Sequence, residues 1–395
     1  MHFDTIAARA GIARDQSFGA VVPPLHLSTT FAFPEFGTAG PYDYTRTANP
    51  TRDLLAESLA ALEGGAGAVP TSTGMSAVGL ALQLATPGDL VVATHDCYGG
   101  TWRLLDAKAR RGELQVAFRD LTTEEGLRAA LALGPKILWI ETPSNPLLRV
   151  TDIRAAVALA RQRGTIVVVD NTFLSPALQQ PLALGADLVV HSTTKYLNGH
   201  SDVVGGAVIA RDPAVHEELR WWANCLGVGA APFDCWLVLR GIRTLQARIA
   251  RHLENAGAVI ELLSAHPAVS AVHYPWLSGH PGSGIARAQQ RGGGAIVSFE
   301  LVGGRDGARA VAQALQIFTL AESLGGVESL VAHPATMTHA AMTPEARASA
   351  GITEGLLRLS VGIEAAEDLV LDLRSALDQV DLSSQVATEA VHAFG

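Results

Sequence analysis

Short apolar runs alternate with helical stretches from residue 88 onward, and each run has the length of a strand. The strand-like runs cover residues 90–94, 115–118, 137–141, 166–170, 188–191 and 207–210. Helical periodicity, as in 153–163, separates several of them. This alternation is typical of a mostly parallel sheet with helices on both faces. We therefore expect an α/β fold for this part of the chain.

The segments on either side of this region follow other patterns. Proline and glycine break up most of the first 60 or so residues before a predicted helix over 51–63, and an irregular segment of that length often contacts a neighbouring chain. After a long helical region predicted over 233–263, the pattern becomes that of a smaller α+β domain. Its expected strands cover residues 271–273, 294–301 and 356–361. We predict an arm over 1–58, a large α/β domain over 59–245 and a C-terminal α+β domain over 246–395.

Composition narrows the classes of function. The chain has 395 residues, is 48% hydrophobic and carries a net charge of −9, which argues against nucleic acid as a partner. No apolar run approaches the ~20 residues of a membrane helix, and the start lacks the pattern of a signal peptide. The three cysteines, Cys97, Cys225 and Cys235, form no CxxC pair, so a cytoplasmic location is expected. No HExxH motif occurs, and no metal site is predicted.

One lysine is a candidate for covalent catalysis. The chain contains only three lysines, and Lys195 directly follows a polar cluster at the end of the strand predicted over 188–191. A lysine amine can form a Schiff base, whereas a guanidinium stays protonated and is a poor nucleophile. From this stretch alone, a phosphate-binding or surface lysine remains an alternative.

A carboxylate at a neighbouring strand end makes a second candidate. Asp170 closes the strand predicted over 166–170, at the edge where α/β sheets bind ligands. Pyridoxal phosphate (PLP) requires both groups, a lysine for the Schiff base and a carboxylate for the pyridinium nitrogen. Polar clusters also begin at His95, Glu141 and Ser192, so several strand ends point to one site. A helix cap or a turn is the alternative role for Asp170.

Three further features are suggestive but weak when taken singly. Gly74 precedes a predicted helix, whose free amides could bind a phosphate, although the segment is neither a P-loop nor GxGxxG. Tyr44 and Arg46 lie on one side of an extended segment and could bind an anion, or form an ordinary polar turn. Arg358 lies in an alternating strand and is either solvent-facing or an inward cation.

Taken together, these motifs resemble the Cys/Met-metabolism family of PLP enzymes over nearly the whole chain. The resemblance rests on YDYTRTANPTRD, STGMSA, HDCYGGTWRL, ETPSNPLLRV, VVDNTFLSPALQ, HSTTKYLNGHSDVVGG, WWANCLGV, TLAESLGGVESL, ATMTHAAM and LLRLSVGIE. It implies the α/β fold of a fold-type I PLP-dependent transferase, with a mostly parallel central sheet and a smaller C-terminal α+β domain. It also implies a cytoplasmic homotetramer, a dimer of dimers whose active sites are shared between subunits, with no nucleic acid or membrane partner.

The resemblance assigns a role to each candidate residue. Lys195 is similar to the Schiff-base lysine, Asp170 to the partner of the pyridine nitrogen, and Tyr98 to the catalytic aromatic residue on the cofactor ring. The expected phosphate ligands are Gly74, Met75, Ser192 and Thr194, with Tyr44 and Arg46 from the neighbouring subunit. The expected amino-acid substrate ligands are Arg358, Asn145 and Ser323 for the α-carboxylate, and Asp43, Arg103, Asn224 and Glu322 for the side chain.

The reaction implied by the resemblance is γ-replacement in methionine biosynthesis by transsulfuration. An O-acyl-homoserine, succinyl or acetyl, would react with L-cysteine to give L-cystathionine. Two alternatives within the family are cleavage of cystathionine by a γ-lyase and use of sulfide by an O-acylhomoserine sulfhydrylase. Outside it, the alternatives are a catalytically inactive binding or regulatory protein of this fold and, less well supported without GxGxxG, a nicotinamide oxidoreductase.

Overall fold

A seven-stranded sheet forms the centre of the larger part of the molecule. The computed structural model describes residues 1–340 and 342–381. The strands of this sheet are β1 (Gly67–Thr71), β2 (Leu90–Thr94), β3 (Gln115–Arg119), β4 (Ile137–Glu141), β5 (Ile166–Asp170), β6 (Leu188–His191) and β7 (Gly206–Ala210). Their order is β1-β7-β6-β5-β4-β2-β3, and β2 to β6 are parallel. Strand β7 runs antiparallel to β6, and β1 antiparallel to β7. The prediction of a mostly parallel sheet is confirmed.

Helices cover both faces of this sheet and continue into the C-terminal part of the chain. They are α1 (Phe3–Ala8), α2 (Pro50–Glu63), α3 (Gly74–Ala81), α4 (Gly99–Arg110), α5 (Glu124–Ala132), α6 (Ile153–Arg161), α7 (Ser175–Leu178), α8 (Pro213–Leu226), α9 (Pro232–Ile242), α10 (Leu245–Ala265), α11 (Ser283–Gln289), α12 (Gly304–Ala314), α13 (Pro344–Ala350) and α14 (Ala366–Leu377). A 3₁₀ turn, Leu82–Leu84, follows α3. Within the described residues, no helix is long and apolar enough to cross a membrane.

The strands are apolar on both faces because each face packs against helices. Val190 of β6 belongs to the hydrophobic cluster that includes α3 and α8, whereas its neighbour Val189 belongs to the cluster that includes α2 and α9. Successive side chains of a strand point to opposite faces, so a strand covered on both sides has no polar positions to alternate with. This explains why the central strands read as continuous apolar runs.

A second, five-stranded sheet forms the C-terminal part. Its strands are β8 (Val269–His273), β9 (Ile296–Leu301), β10 (Thr319–Leu320), β11 (Leu330–Ala332) and β12 (Leu356–Ser360), in the order β10-β11-β12-β9-β8. The sequence pattern did not predict β10 and β11, which are very short. It also predicted β12 to be half-buried, and this was wrong, because every residue of β12 is buried. The smaller α+β domain itself is confirmed.

Other differences from the predicted elements lie outside this sheet. The pattern did not predict α1 or β1, and β1 falls in a glycine-rich segment that reads as a loop. The long helix predicted over 233–263 is instead two helices, α9 and α10, separated by Arg243 and Thr244. The domain boundaries at residues 58 and 245 stay predictions, and residues 382–395 of the predicted C-terminal domain lie outside the described residues.

Candidate active site

A cavity of about 420 Å³ lies at the carboxyl edge of the parallel strands, where residues from both sheets meet. Most residues predicted for the site line it. From the first sheet and its loops these are Gly74, Met75, Tyr98, Asn145, Asp170, Ser192, Thr194 and Lys195, and from the C-terminal part Glu322, Ser323 and Arg358. Because parallel strands end at the same edge, residues far apart in sequence come together here.

Lys195 lies in the loop after β6 with its amine directed to the C-terminal part. Its Nζ donates a hydrogen bond to Oγ of Ser323 at 2.8 Å. Burial and the nearby Arg358 guanidinium lower the pKa of Lys195 to about 8, while Glu322 raises it. A pKa near neutrality means that this amine can be both a nucleophile and a proton carrier.

Two carboxyl groups end neighbouring strands below the cavity. Glu141 and Asp170 are paired in the β4–β5 register, and burial raises the pKa of both, with Asp170 further raising that of Glu141. Oδ1 of Asp170 accepts a hydrogen bond from the Thr172 amide at 3.0 Å, and His191 opposes the rise in the pKa of Asp170. An anion at Asp170 would therefore gain from a cationic partner in the cavity.

Hydroxyl groups and the start of α3 form a candidate phosphate site. The first amides of a helix have no intrahelical acceptor, so those of Gly74 and Met75 are available to an anion. A Cβ added at Gly74 would lie 2.8 Å from Cβ of Ser192, so only glycine fits without a shift of the backbone. Ser192 and Thr194 also line the cavity. Two amides and two hydroxyl groups are donors of the kind that phosphate oxygens accept.

Arg358 is turned inward and is only 3% exposed, which decides between the two orientations that the sequence left open. Its Nη1 donates to Oδ1 of Asn145 and its Nη2 to the carbonyl of Ser323, both at 2.9 Å. Its Nε is buried and has no hydrogen-bond partner in the part of the chain that the structure describes. Burial lowers the pKa of Arg358 to about 10. A carboxylate is the natural partner for such a guanidinium.

The remaining predicted residues do not line this cavity in their own chain. Arg46 Nη1 donates to Oδ1 of Asn224 at 2.7 Å, and the guanidinium lies 5.8 Å from the ring centroid of Tyr44. Asp43 belongs to the same arm, and Arg103 is exposed on α4. The roles of all five, including contacts with the cavity of a neighbouring subunit, stay predictions.

Some residues lining the cavity were given no role in the sequence analysis. They are Thr73, Val78, Glu141, Pro143, Thr172, Phe173, Val204, Leu324 and Thr338. Glu141 carried a signal, because it ends a predicted strand in the same way as Asp170. Thr338 lies within the motif ATMTHAAM, but its segment has no periodic pattern that would place it against the first sheet.

The cavity suits pyridoxal phosphate, whose functional groups match the side chains present. Lys195 can hold the aldehyde carbon, Asp170 the ring nitrogen, and the donors at Gly74, Ser192 and Thr194 the phosphate. Tyr98 lines the same cavity and is 44% exposed, which leaves its ring free to pack on a planar ligand. The Nε of Arg358, buried without a partner among the described residues, is a donor of the kind that a carboxylate accepts from.

Comparison with known proteins gives the family. The family model for the Cys/Met metabolism PLP-dependent enzymes matches residues 4–378. The chain belongs to this family. Its cofactor is therefore pyridoxal phosphate, and the fold-type I architecture expected from the sequence is confirmed.

Relatives within the family carry related activities. Cystathionine gamma-synthase of Escherichia coli (strain K12) is 57% identical over 94% of this chain and 96% of its own. Cystathionine gamma-lyase of Bacillus subtilis (strain 168) is 43% identical over 95% of this chain and 99% of its own. The crystal structure of cystathionine gamma synthase from Xanthomonas oryzae pv. oryzae in complex with cystathionine is 60% identical, has a TM-score of 0.94 and covers 96% of this chain and 98% of that one.

Proposed function

We propose that this chain joins an O-acylhomoserine to the thiol of L-cysteine and releases L-cystathionine and the free carboxylic acid. The observation that carries the proposal is that Lys195 and Arg358, from different sheets, both bond to Ser323 within one cavity. This arrangement places a reactive amine beside a carboxylate-binding guanidinium, as an enzyme acting on amino acids requires. The synthases named above, at 57% and 60% identity, support γ-replacement as the reaction.

The roles of individual side chains follow from their environment. Arg358 and Asn145 bind the α-carboxylate of the substrate, which orients its α-carbon toward Lys195. Asp170, when ionised, holds the ring nitrogen of the cofactor protonated, and Tyr98 packs on the ring. The donors at Gly74, Ser192 and Thr194 anchor the phosphate. Bound here, pyridoxal phosphate supplies an electron-poor ring that stabilises negative charge at the substrate carbons.

Lys195 moves the protons of the reaction. Its neutral amine would accept a proton from the α-carbon, pass it to the bound cofactor, and only then accept one from the β-carbon, because one amine holds one extra proton at a time. The second removal allows the γ-substituent to leave as a carboxylate. The cysteine thiol would give up its proton, which balances the released carboxylate, as its sulfur bonds to the γ-carbon, and Lys195 would return one proton to the β-carbon and then one to the α-carbon. Its lowered pKa, about 8, suits this role because the amine can gain and lose a proton near neutral pH.

The proposal includes a cytoplasmic homotetramer in which active sites are shared. Tyr44 and Arg46 belong to an arm that leaves several apolar side chains exposed, among them Phe33 and Phe36. Exposed apolar groups on an extended arm favour contact with a second chain. Tyr44 and Arg46 would then reach the phosphate in the neighbouring subunit. The lack of paired cysteines supports a reducing compartment.

The experiment that tests the reaction compares substrates on the purified, PLP-loaded protein. O-succinyl-L-homoserine and O-acetyl-L-homoserine are each supplied with and without L-cysteine, and products are identified by mass spectrometry. Cystathionine should form from at least one ester only when cysteine is present, and Lys195→Ala should abolish it. A parallel reaction with cystathionine alone tests the lyase alternative, and one with sulfide tests the sulfhydrylase. If turnover of cystathionine alone, or of an ester with sulfide, is faster than formation of cystathionine from an ester and cysteine, the proposal is overturned.

A further inference from the structure

Glu141 holds two loops of the active site with one carboxyl group. It ends β4 and is 4% exposed. Its Oε2 accepts a hydrogen bond from the main-chain amide of Tyr98 at 2.7 Å, and its Oε1 accepts one from the amide of Asn145 at 3.1 Å. Tyr98 follows β2, whereas Asn145 follows β4, so Glu141 connects loops from two strands.

The two loops hold groups with different proposed targets. The Tyr98 ring packs on the cofactor, and Oδ1 of Asn145 accepts from Nη1 of Arg358, which binds the substrate carboxylate. Both contacts of Glu141 are to main-chain amides, so they position the loop backbones and leave the side chains of Tyr98 and Asn145 free. The distance between ring and carboxylate pocket therefore depends on this carboxyl group.

We infer that Glu141 is a positioning residue, whose carboxylate sets the spacing between the cofactor ring face and the substrate carboxylate. This inference rests on the proposed roles of Tyr98 and Arg358. Both oxygens of Glu141 accept from a backbone N–H, as an ionised carboxyl group does, and these two bonds oppose the rise in its pKa that burial and Asp170 cause. Glutamine has the same shape, but its amide nitrogen would face one backbone N–H with another donor. The loops could not then keep both contacts.

A carboxyl group elsewhere on the sheet provides a matched control. Asp187 precedes β6 and accepts from the main-chain amide of Val167 at 2.9 Å, near the start of β5. It thus also ties neighbouring strands, but at the edge opposite the cavity. Asp187→Asn removes the same charge, disturbs a main-chain contact and weakens the ion pair of Asp187 with Arg211, without reaching Tyr98 or Asn145.

The test compares Glu141→Gln, Asp187→Asn and wild type, all loaded with PLP. The readouts are the visible circular dichroism of the bound cofactor, KM for the O-acylhomoserine, kcat and Tm. Glu141→Gln should change the dichroism and raise KM by about tenfold, the order expected for one lost hydrogen bond beside a charged site. Asp187→Asn should lower Tm and leave the dichroism and KM unchanged.

Wild-type dichroism and KM in Glu141→Gln, with only a lower Tm, would overturn the inference. If Glu141→Gln does not fold, Glu141→Asp is measured in its place, because it keeps the charge and shortens the reach by one methylene. The same changes are expected for it, and their absence again overturns the inference. Tyr98→Ala checks that the dichroism reports the ring contact. A wild-type protein that binds no PLP contradicts the proposed function, which is a different outcome.

Discussion

Nζ of Lys195, after β6, donates to Oγ of Ser323, on the segment between β10 and β11, at 2.8 Å. The same serine accepts from Arg358 through its carbonyl at 2.9 Å. Ser323 therefore contacts both the Lys195 amine and the Arg358 guanidinium. Its φ of 102° lies in a region that favours glycine. Strained backbone at an active site is retained when it places a functional group.

Two substitutions of Ser323 distinguish the effect of its strained backbone from the effect of its hydroxyl contact with Lys195. Both Ser323→Ala and Ser323→Gly remove the bond to Lys195, but only glycine adopts the positive φ without strain. We expect a free energy of unfolding about 1 kcal/mol higher for the glycine variant than for the alanine variant. Both should lower kcat to a similar extent. Denaturant unfolding and steady-state kinetics check this, and an alanine variant at least as stable as the glycine variant would contradict it.

Arg358 should matter for binding rather than for cofactor content. A hydrogen-bonded charged group contributes about 1.5–3 kcal/mol, so Arg358→Ala should raise KM by about one to two decades. Arg358→Lys should restore little of the lost substrate binding, because an ammonium lacks the planar pair of donors that a guanidinium presents to a carboxylate. Arg248 is a suitable control, since it is 5% exposed and donates to the carbonyl of Gly241. Arg248→Lys should reduce Tm and leave KM near the wild-type value. An unchanged KM in Arg358→Ala would remove its assigned role.

The lowered pKa of Lys195 predicts a pH-dependent cost to the cofactor-free protein. Below about pH 8 the folded state holds a buried ammonium, which destabilises it in full. Between about pH 8 and pH 10.5, Lys195 binds a proton more often in the unfolded chain than in the folded one. The free energy of unfolding therefore rises with pH across this range. Lys195→Met should therefore stabilise the apoprotein by roughly 3–4 kcal/mol near neutral pH, because the pKa of Lys195 falls from 10.5 to about 8 and each pKa unit is about 1.4 kcal/mol. The gain should disappear at higher pH.

Urea unfolding at about pH 7 and about pH 10 measures this difference. Lys136 is exposed, so Lys136→Met removes a lysine without removing a buried charge. A stabilisation by Lys195→Met that is the same at both pH values would contradict the predicted cost of the ammonium.

The sharing of sites between subunits can be tested by complementation. Lys195→Ala and Arg46→Ala chains, each nearly inactive alone, are mixed under conditions of subunit exchange that mass spectrometry verifies. In a heterodimer with shared sites, one active site contains both substituted residues, and the other contains the wild-type Lys195 and the wild-type Arg46. Random mixing makes about half of the dimers hetero, so about a quarter of wild-type activity should return. Verified heterodimers without activity would mean that Arg46 does not act on the neighbouring site.

The sequence predicted the central strands well because they are continuous, apolar and buried on both faces. It also predicted the residues at their carboxyl ends, since Asp170 ends one recognisable strand and Lys195 follows the polar cluster at the end of another. It was less successful with β1 and the short β10 and β11, where glycine or length removes the periodic signal. Arg358 shows a further limit. Its alternating strand is typical of a half-buried sheet, and only tertiary packing reveals that the second face is also covered.

Residues that act through main-chain contacts were also hard to predict. Glu141 was visible as a polar strand end, but its bonds to the amides of Tyr98 and Asn145 depend on how two loops fold over the sheet edge. Thr338 reaches the cavity from the C-terminal part, and although the motif ATMTHAAM contains it, no periodic pattern indicates that approach. Contacts between segments far apart in sequence are the information that periodicity lacks.

Borohydride reduction followed by peptide mapping tests the central assignment most directly. The chain has three lysines, so the other two are internal controls. Nζ of Lys108, on α4, lies 2.9 Å from Oε2 of Glu113, which follows that helix. Lys136 is exposed and directly precedes β4. Reduction of the PLP-loaded protein should place the pyridoxyl mass on the peptide with Lys195 and leave those with Lys108 and Lys136 unmodified. A stoichiometric adduct on either other lysine, or none on Lys195, would contradict the account.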